Sequence, residues 1–223
     1  MNGKGILRDN ILLGLGLVLM IAALYLIFMH VPTERDMGVV QRIFYFHVPL
    51  AWVSLLAFLL VFVFSILYLW KRAARWDILA HASAEVGVVF ITLVLITGTI
   101  WAKSVWGVWW TWDARLTATL VLWLTYLAYL LVRSYATEQT QGARFAAVLG
   151  IVGFIDVPIV MLAVNLWRTQ HPPALIFEGG ITSPMLLTIL VSIAAFTVLY
   201  VIMVIQSASM KSLESAVQRL KDK

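Results

Sequence analysis

The sequence predicts an all-α membrane protein with six transmembrane helices and both termini in the cytoplasm. Hydrophobic residues make up 62% of its 223 residues and charged residues only 12%, whereas about a quarter of a soluble domain is charged. Six apolar runs recur along the chain, each close to the roughly 20 residues that cross a bilayer. The runs are continuous rather than alternating, which is typical of helices and not of membrane β-barrels.

The six runs can be justified in order. The first follows Lys4 and Arg8, has no Ala-x-Ala cleavage site and is long for a signal peptide, so it is interpreted as a retained helix. The second starts at Phe46-His47-Val48-Pro49, where proline suits a first helical turn. The fifth contains Asp156 and Pro158. The predicted spans are Ile11–Met29, Val48–Trp70, Glu85–Trp101, Leu116–Val132, Phe145–Val164 and Pro184–Ile205.

These spans predict one transmembrane domain over residues 1–205, with a tryptophan-rich loop at about 102–115, and a cytoplasmic tail over residues 206–223. In the tail Met210, Leu213, Val217 and Leu220 recur on one helical face. Two interpretations of the tail remain open. It is either an amphipathic helix lying on the membrane or against a partner, or a solvated, frayed end.

Charge distribution predicts which loops face the cytoplasm. The two termini and the loops after spans two and four together carry eleven Lys and Arg residues, and the other three loops carry five. The positive-inside rule therefore places both termini in the cytoplasm and the tryptophan-rich loop outside. The net charge of +5 follows from this topology and does not indicate nucleic acid. The absence of cysteine excludes disulfides, thiolate metal sites and iron–sulfur clusters.

The segment Trp106-Gly107-Val108-Trp109-Trp110-Thr111-Trp112-Asp113 carries four tryptophans between the third and fourth spans. Tryptophan is common singly at membrane interfaces. Four in one connector predict a broad, flat aromatic surface that can stack on a large planar ligand. Asp113 precedes a helix, so it is interpreted either as a helix cap or as a part of the binding site.

Two histidines are predicted on the same outer face as this loop. His47 opens the second span, and His171 precedes Pro172 and Pro173, which stiffen its segment. Two neutral imidazoles converging on one metal, beside an aromatic surface, suit a metalloporphyrin. Alternatively, each is an interfacial histidine bonded to backbone; their shared face favours ligation. His30 is either a substitute ligand or an ordinary interfacial residue.

Two acidic residues of the predicted spans have different interpretations. Asp156 lies within the bilayer, where ionisable groups are costly and usually functional. Alternatively, it bonds backbone freed by Pro158. Glu85 stands four residues after His81, a spacing that brings the two together on a helix as a structural pair.

The twelve residues from Trp106 to Thr117, WGVWWTWDARLT, resemble the WWD signature of the cytochrome c biogenesis proteins that handle haem. Within that superfamily they resemble CcmC most closely. The haem lyases and chloroplast-type synthases usually continue the motif with Pro-Lys-Glu, where this chain has Ala114-Arg115-Leu116, and six spans are too few for the lyases. The resemblance runs through nearly all of the chain, including residues 41–49, 156–159 and 167–172, and it is weakest over residues 161–166.

The resemblance implies a location in the bacterial inner (cytoplasmic) membrane and a haem site facing the periplasm, with His47 and His171 as axial iron ligands. The haem would be b-type, non-covalent and transient, and would pass to the periplasmic haem chaperone CcmE during cytochrome c maturation. Implied partners are the lipid bilayer, the ABC transporter subunits CcmA and CcmB, and the small subunit CcmD. The chain would be a haem-transfer and export protein and not an enzyme, with promotion of the covalent haem–chaperone bond left open.

The haem-binding set predicted around these ligands includes an aromatic and a charged part. The aromatic part is Trp106, Trp109, Trp110 and Trp112. Arg42 and Arg115 are the outward cations expected to hold haem propionates, since the guanidinium matches a carboxylate, with Arg168 third and Asp113 orienting the loop. The alternative is that the arginines are interfacial anchors.

Two other functional classes stay open at this stage. A membrane b-type electron-transfer cytochrome usually holds haem between histidines inside the bundle, whereas no histidine here is predicted at mid-span. A secondary transporter is consistent with Asp156 and a Gly/Pro-broken fifth span, but the cytoplasmic half of the spans is almost wholly apolar apart from Glu85.

Overall fold

The computed structural model describes residues 3–136, 139–167, 169–171 and 181–221. Within them the chain forms seven α-helices, a π-helical turn that continues the first, and a short 3-10 helix before the second. In chain order these are α1 (Gly3–Tyr25), the π-turn Leu26–His30, the 3-10 helix Val39–Ile43, α2 (Phe44–Lys71), α3 (Ala74–Trp106), α4 (Ala114–Tyr135), α5 (Gln139–Gly153), α6 (Asp156–Leu166) and α7 (Ser183–Lys221).

The prediction of six spans is confirmed. Six helical segments of the described chain are long and apolar enough to cross a membrane, and each predicted span falls within one or overlaps it closely. The segments are Leu7–His30, Val39–Lys71, Ala74–Trp106, Ala114–Tyr135, Thr140–Leu166 and Ser183–Gln218. Most extend beyond the predicted bounds because the helices continue through polar residues that an apolar run does not include.

The fifth span is two helices joined by a tight turn. The carbonyl of Phe154 would lose its helical partner because Pro158 has no N–H. It accepts instead from Val157 N at 3.1 Å, and Ile155 N donates to Val152 O at 3.1 Å. The backbone therefore resolves the proline break by 3-10-type bonds, without using the Asp156 carboxylate.

The bundle is centred on α2, which packs against α3, α5 and α7, while α4 packs against α3, α5 and α6. Phe58 of α2 and Tyr126 of α4 stack with ring centres 3.7 Å apart and are fully buried. Helix α1 packs mainly on α7 and is the most exposed span. The core thus holds α2 and α3 rigidly side by side.

Alternation of the chain brings six helix termini of the described residues to one end of the bundle. These are the end of the π-turn that continues α1, the start of α2, the end of α3, the start of α4, the end of α6 and the start of α7. His47, the tryptophan-rich loop and His171 therefore lie at a common end, as the order of spans predicted. The direction in which this end faces remains a prediction from charge.

The last helix, α7, continues without a break from Ser183 through residue 221. The segment predicted as a tail from residue 206 is thus helical and coaxial with the sixth span. Met210, Leu213, Val217 and Leu220 are all exposed on it.

Candidate functional site

His47 is built into the first turn of α2 and is buried, with 8% of its surface exposed. The sequence predicted an apolar span from Val48 with His47 at its opening, and in the structure α2 begins earlier, at Phe44, directly after a 3-10 turn. Pro49 therefore lies inside the helix. The earlier start carries the imidazole against α3, where Nδ1 lies 2.9 Å from Thr97 Oγ1.

Two further residues of α3 enclose the His47 ring. Trp101 meets it edge to face, with ring centres 5.8 Å apart at 73°. Gly98 provides the space on the other side, since a Cβ at that position would lie 3.1 Å from His47 Cε1. The orientation of the imidazole is consequently fixed by Thr97, Gly98 and Trp101, which lie within about one turn of one helix.

His171 lies beside His47, with ring centres 6.5 Å apart and ring planes at 35°. Its backbone N–H donates to Thr169 Oγ1 at 3.1 Å. With metal–imidazole bonds of about 2.0 Å, two imidazoles on opposite sides of one metal have centres roughly 6.3 Å apart. The spacing therefore fits a shared metal between the rings. Pro172 and Pro173, which were predicted to stiffen this segment, lie outside the described residues.

The tryptophan-rich loop begins where α3 is terminated by Gly107. Its φ of 77° is in the left-handed region, and its N–H donates to Lys103 O at 3.2 Å. The Lys103 amine in turn donates to Gly107 O at 2.9 Å and lies 5.9 Å from the Trp109 ring centre. Lys103 thus ties the start of the loop to α3.

Asp113 closes the loop as the cap of α4. Oδ1 accepts from Arg115 N at 3.0 Å and Leu116 N at 3.1 Å, and Oδ2 accepts from Thr111 Oγ1 at 2.8 Å. The capping interpretation is therefore seen in the structure. Both carboxylate oxygens are engaged in hydrogen bonds within the loop and the first turn of α4.

The four tryptophans of the loop do not form one flat surface. Trp110 and Trp112 lie edge to face, with centres 5.8 Å apart and planes at 76°. Trp109 and Trp112 are 60% and 75% exposed, whereas Trp106 and Trp110 are half-buried. A planar ligand can therefore stack on Trp110 or on Trp112, but not on both.

The predicted propionate-binding arginines lie at this end. Arg42 is half-buried, with its guanidinium carbon 5.8 Å from the Phe28 ring centre. Arg115, in the first turn of α4, lies within Coulombic range of His47 and of Asp113. Arg168, the third predicted cation, lies outside the described residues.

Several buried polar atoms at this end have no hydrogen-bond partner among the described residues: Arg42 Nε, Trp101 Nε1, Trp110 Nε1 and Thr117 Oγ1. Buried donors without partners are costly, so such atoms favour a missing acceptor. Comparable atoms occur at the opposite end, on Trp76 and Arg133. The unpaired donors therefore fit a ligand with carboxylates but do not by themselves identify the site.

The opposite end of the bundle carries two groups of paired charges. Arg133 forms a bidentate salt bridge with Asp77, in which Nη2 lies 2.9 Å from Oδ2. Glu85 accepts from Lys211 at 2.6 Å and lies 3.3 Å from His81 Nε2. The predicted His81–Glu85 pair is thus present. These side chains surround a cavity of about 640 Å³, and their mutual pairing explains them as structural contacts.

The remaining predicted residues are not brought to the histidine pair. His30 is exposed at the end of the π-turn. Asp156 begins α6 in the fifth span, and its Oδ2 is buried with no hydrogen-bond partner in the described chain. Sequence reasoning missed Thr97 and Gly98, because nothing in a single sequence links them to a histidine 50 residues earlier.

Comparisons with known proteins give a consistent result. The family described as CcmC, heme exporter protein C, matches residues 7–223. Heme exporter protein C of Bradyrhizobium diazoefficiens is 37% identical over 173 residues, covering 76% of this chain and 66% of that protein. Its namesake in Haemophilus influenzae is 32% identical over 212 residues, covering 94% and 83%. A ccmC-like mitochondrial protein of Marchantia polymorpha, named for cytochrome c biosynthesis, is 34% identical over 189 residues, covering 84% and 80%. The likeness extends well beyond the tryptophan-rich loop.

Proposed function

Because this chain belongs to the CcmC family, heme exporter protein C, we propose that it binds haem at the bundle end carrying His47 and His171. Family membership assigns it to haem handling for cytochrome c biogenesis, as a multi-pass membrane component of haem transport. This favours haem handling over the electron-transfer cytochrome and secondary transporter considered above. We infer further that the site faces the periplasm of the inner membrane and passes haem to CcmE.

The observation that carries the proposal is the 6.5 Å spacing of the two imidazole rings. Neutral imidazole is a common metal ligand, and histidine is an axial ligand of haem iron in many proteins, so this spacing supports a shared iron between the two rings. The pair combines a helical histidine fixed by α3 with a histidine from a loop. In the proposed site His47 and His171 are the axial ligands of haem iron.

The aromatic loop supports non-covalent and transient binding. The chain has no cysteine, so it cannot attach haem through thioethers, and we propose that the haem is b-type and held without a covalent bond. Trp106, Trp109, Trp110 and Trp112 would contact the porphyrin by stacking or at its edge. The exposed Trp109 and Trp112 rings leave an aromatic surface for the chaperone CcmE. CcmA, CcmB and CcmD are the proposed partners within the membrane complex.

The first experiment measures haem bound by the purified full-length protein. His47→Ala and His171→Ala should each change the optical spectrum from that of a six-coordinate bis-imidazole haem and sharply lower the haem retained. His30→Ala is the matched control, because this histidine is exposed near the same end of the bundle. If both variants keep the parental spectrum, the ligand assignment is wrong.

The second experiment tests whether Arg42 and Arg115 bind the propionates. The parent protein should bind haem more tightly than its dimethyl ester, which lacks free propionates. Arg42→Gln or Arg115→Gln should reduce this difference in affinity. Asp113 would act by holding Arg115 at the start of α4. Arg35→Gln is the control, since Arg35 is exposed in the same loop as Arg42. An undiminished preference for free propionates in both variants would make these arginines interfacial anchors.

The delivery step is tested by transfer to the chaperone. The haem-loaded protein, mixed with haem-free CcmE, should lose its bis-imidazole spectrum as haem appears on CcmE. The His47→Ala and His171→Ala variants should transfer less haem per protein. Redox titration with a quinol distinguishes haem transfer from the alternative function, an electron-transfer cytochrome. Rapid reduction of a haem that stays bound and is not transferred would favour the cytochrome.

A further inference from the structure

Thr97 is the polar contact of the His47 ring and has no role in the function proposed so far. It lies on α3, and its hydroxyl oxygen is 2.9 Å from His47 Nδ1 across 50 residues of sequence. The same oxygen is 2.7 Å from Leu93 O and 3.3 Å from Val94 O. The hydroxyl therefore stands between two backbone carbonyls and one imidazole nitrogen.

The direction of each hydrogen bond follows from the short contact between Thr97 and Leu93. A threonine hydroxyl has one hydrogen, and a backbone carbonyl can only accept. The two oxygens are 2.7 Å apart and would repel without a hydrogen between them, so the hydroxyl donates to Leu93 O, the usual arrangement for helical threonine. Toward His47 the oxygen can then only accept, so Nδ1 carries the ring hydrogen. In a neutral imidazole this leaves the lone pair on Nε2.

The neighbours of Thr97 pack closely against the same ring. A Cβ on Gly98 would lie 3.1 Å from Cε1, and Trp101 contacts the ring edge to face. A flipped ring would place a carbon against the Thr97 oxygen and lose the one hydrogen bond that the side chain makes within the described residues. Thr97 thus determines both the orientation of the ring and which nitrogen can bind a metal.

We propose that Thr97 is a positioning residue that holds His47 with its hydrogen on Nδ1 and presents Nε2 to iron. The inference rests on the proposed function, in which His47 is an axial ligand. Hydrogen-bonded partners of metal-bound histidines fix the tautomer and raise ligand basicity, and their loss typically costs roughly 10–100-fold in metal affinity. Thr97 does not touch the ligand itself.

The test compares Thr97→Val, which keeps the shape but removes the acceptor, with Thr97→Ser, which keeps the hydroxyl. Thr99→Val is the matched control, because Thr99 is on the same helix and its hydroxyl donates to Ile96 O. All are made in the full-length protein in detergent, with Thr97→Ala as a second variant should valine perturb packing.

Two readouts are used. The first is nitrogen NMR of histidine-labelled, haem-free protein, in which the His47 signal is identified by its loss in His47→Ala. The parent, Thr97→Ser and Thr99→Val should show hydrogen on Nδ1, and Thr97→Val should show a mixture of tautomers. The second is the haem-loaded protein: Thr97→Val should bind haem roughly 10–100-fold more weakly and have a more positive reduction potential, with serine restoring both.

The two proposals can fail separately. If His47→Ala keeps the parental haem spectrum, the ligand assignment is wrong, whatever Thr97 does. If His47→Ala behaves as expected but Thr97→Val keeps the parental tautomer, haem affinity or potential, the positioning role is overturned. The positioning role would also be overturned if Thr97→Ser failed to keep the parental haem affinity and reduction potential. Packing of the threonine methyl group, and not the hydroxyl, would then be responsible for the effect of Thr97→Val.

Discussion

His47 and His171 have very different settings, although their rings are only 6.5 Å apart. His47 is buried in a helix and enclosed by three residues of α3. His171 is half-buried in a segment between α6 and α7, where its backbone bonds to Thr169. One imidazole is therefore held by the packing of two long helices, and the other is supplied by a connector.

The difference indicates how a transient site can be built. A ligand group that is fixed before binding loses little conformational freedom when it binds, whereas a loop residue is ordered at a cost. In the proposed site, the helical ligand would orient haem, and the loop ligand could leave the iron without disturbing the packing of the helices. The predictions that follow test this asymmetry, from the largest expected effect to the smallest.

The difference between the two histidines should be largest in glycine variants to which free imidazole is added. His47→Gly and His171→Gly should each lose more haem affinity than the roughly 10–100-fold expected from an outer-shell partner. Free imidazole should restore the six-coordinate spectrum of His47→Gly at a lower concentration than that of His171→Gly. The reason is that Thr97, Gly98 and Trp101 leave a preformed binding cavity for the imidazole. Optical titration measures both, with His30→Gly as control. Equal rescue of the two variants would contradict the comparison.

Stability of the haem-free protein should separate the two histidines as well. His47→Ala removes a buried ring that packs on Trp101, so it should lower the free energy of unfolding by about 2 kcal/mol. His171→Ala should change it by less than about 0.5 kcal/mol, as for most substitutions away from the core. Thermal unfolding in detergent measures both. A larger loss for His171→Ala would show that its loop is an integral part of the packed bundle.

The tryptophan-rich loop should contribute less than either ligand. Each stacked ring is worth about 0.5–1.5 kcal/mol beyond burial, so Trp109→Ala/Trp110→Ala should weaken haem binding several-fold and leave the bundle folded. Trp70→Ala, which changes an exposed tryptophan at the opposite end, is the control. Unchanged haem occupancy and unchanged loading of CcmE in the double variant would remove the loop from the site.

The smallest effect is expected at Asp113. Loss of a helix cap costs about 1 kcal/mol, so Asp113→Ala should loosen the loop and weaken haem binding a few-fold. Asp113→Asn keeps the oxygen that accepts from the backbone and should behave more like the parent. Hydrogen exchange at residues 106–116 reports the loop directly. If Asn is as damaging as Ala, the negative charge matters and capping is an incomplete account.

The six-helix bundle could be predicted from sequence because the backbone polar groups of every span must be hydrogen-bonded without water, which an α-helix achieves within the span. The residues at which the helices begin and end could not be predicted, and α3 shows the reason. The apolar run starts at Glu85, but the helix starts at Ala74, because Asp77, His81 and Glu85 pair with Arg133 and Lys211 from α4 and α7. Polar residues at a span end are helical when another helix supplies their partners, and one sequence does not show which helix that is.

The same limit applies to the site. His47 and His171 could be placed together because both occupy short segments on one predicted face. The role of Thr97 could not be predicted, since it depends on the register between α2 and α3. The flat aromatic surface expected from four neighbouring tryptophans is also not what forms, since the ring planes of Trp110 and Trp112 lie at 76° to each other.

Helix α7 connects the two ends of the molecule as a single rod. Its 39 residues span about 58 Å at 1.5 Å per residue, nearly twice the hydrocarbon thickness. It begins at Ser183, after the segment that carries His171, and toward its other end Lys211 forms a salt bridge with Glu85 of α3. The helix that follows the His171 connector therefore also reaches the opposite end of the bundle, where it pairs with α3. A partner that bound the far end of α7 would contact the same continuous helix that begins beside the proposed site.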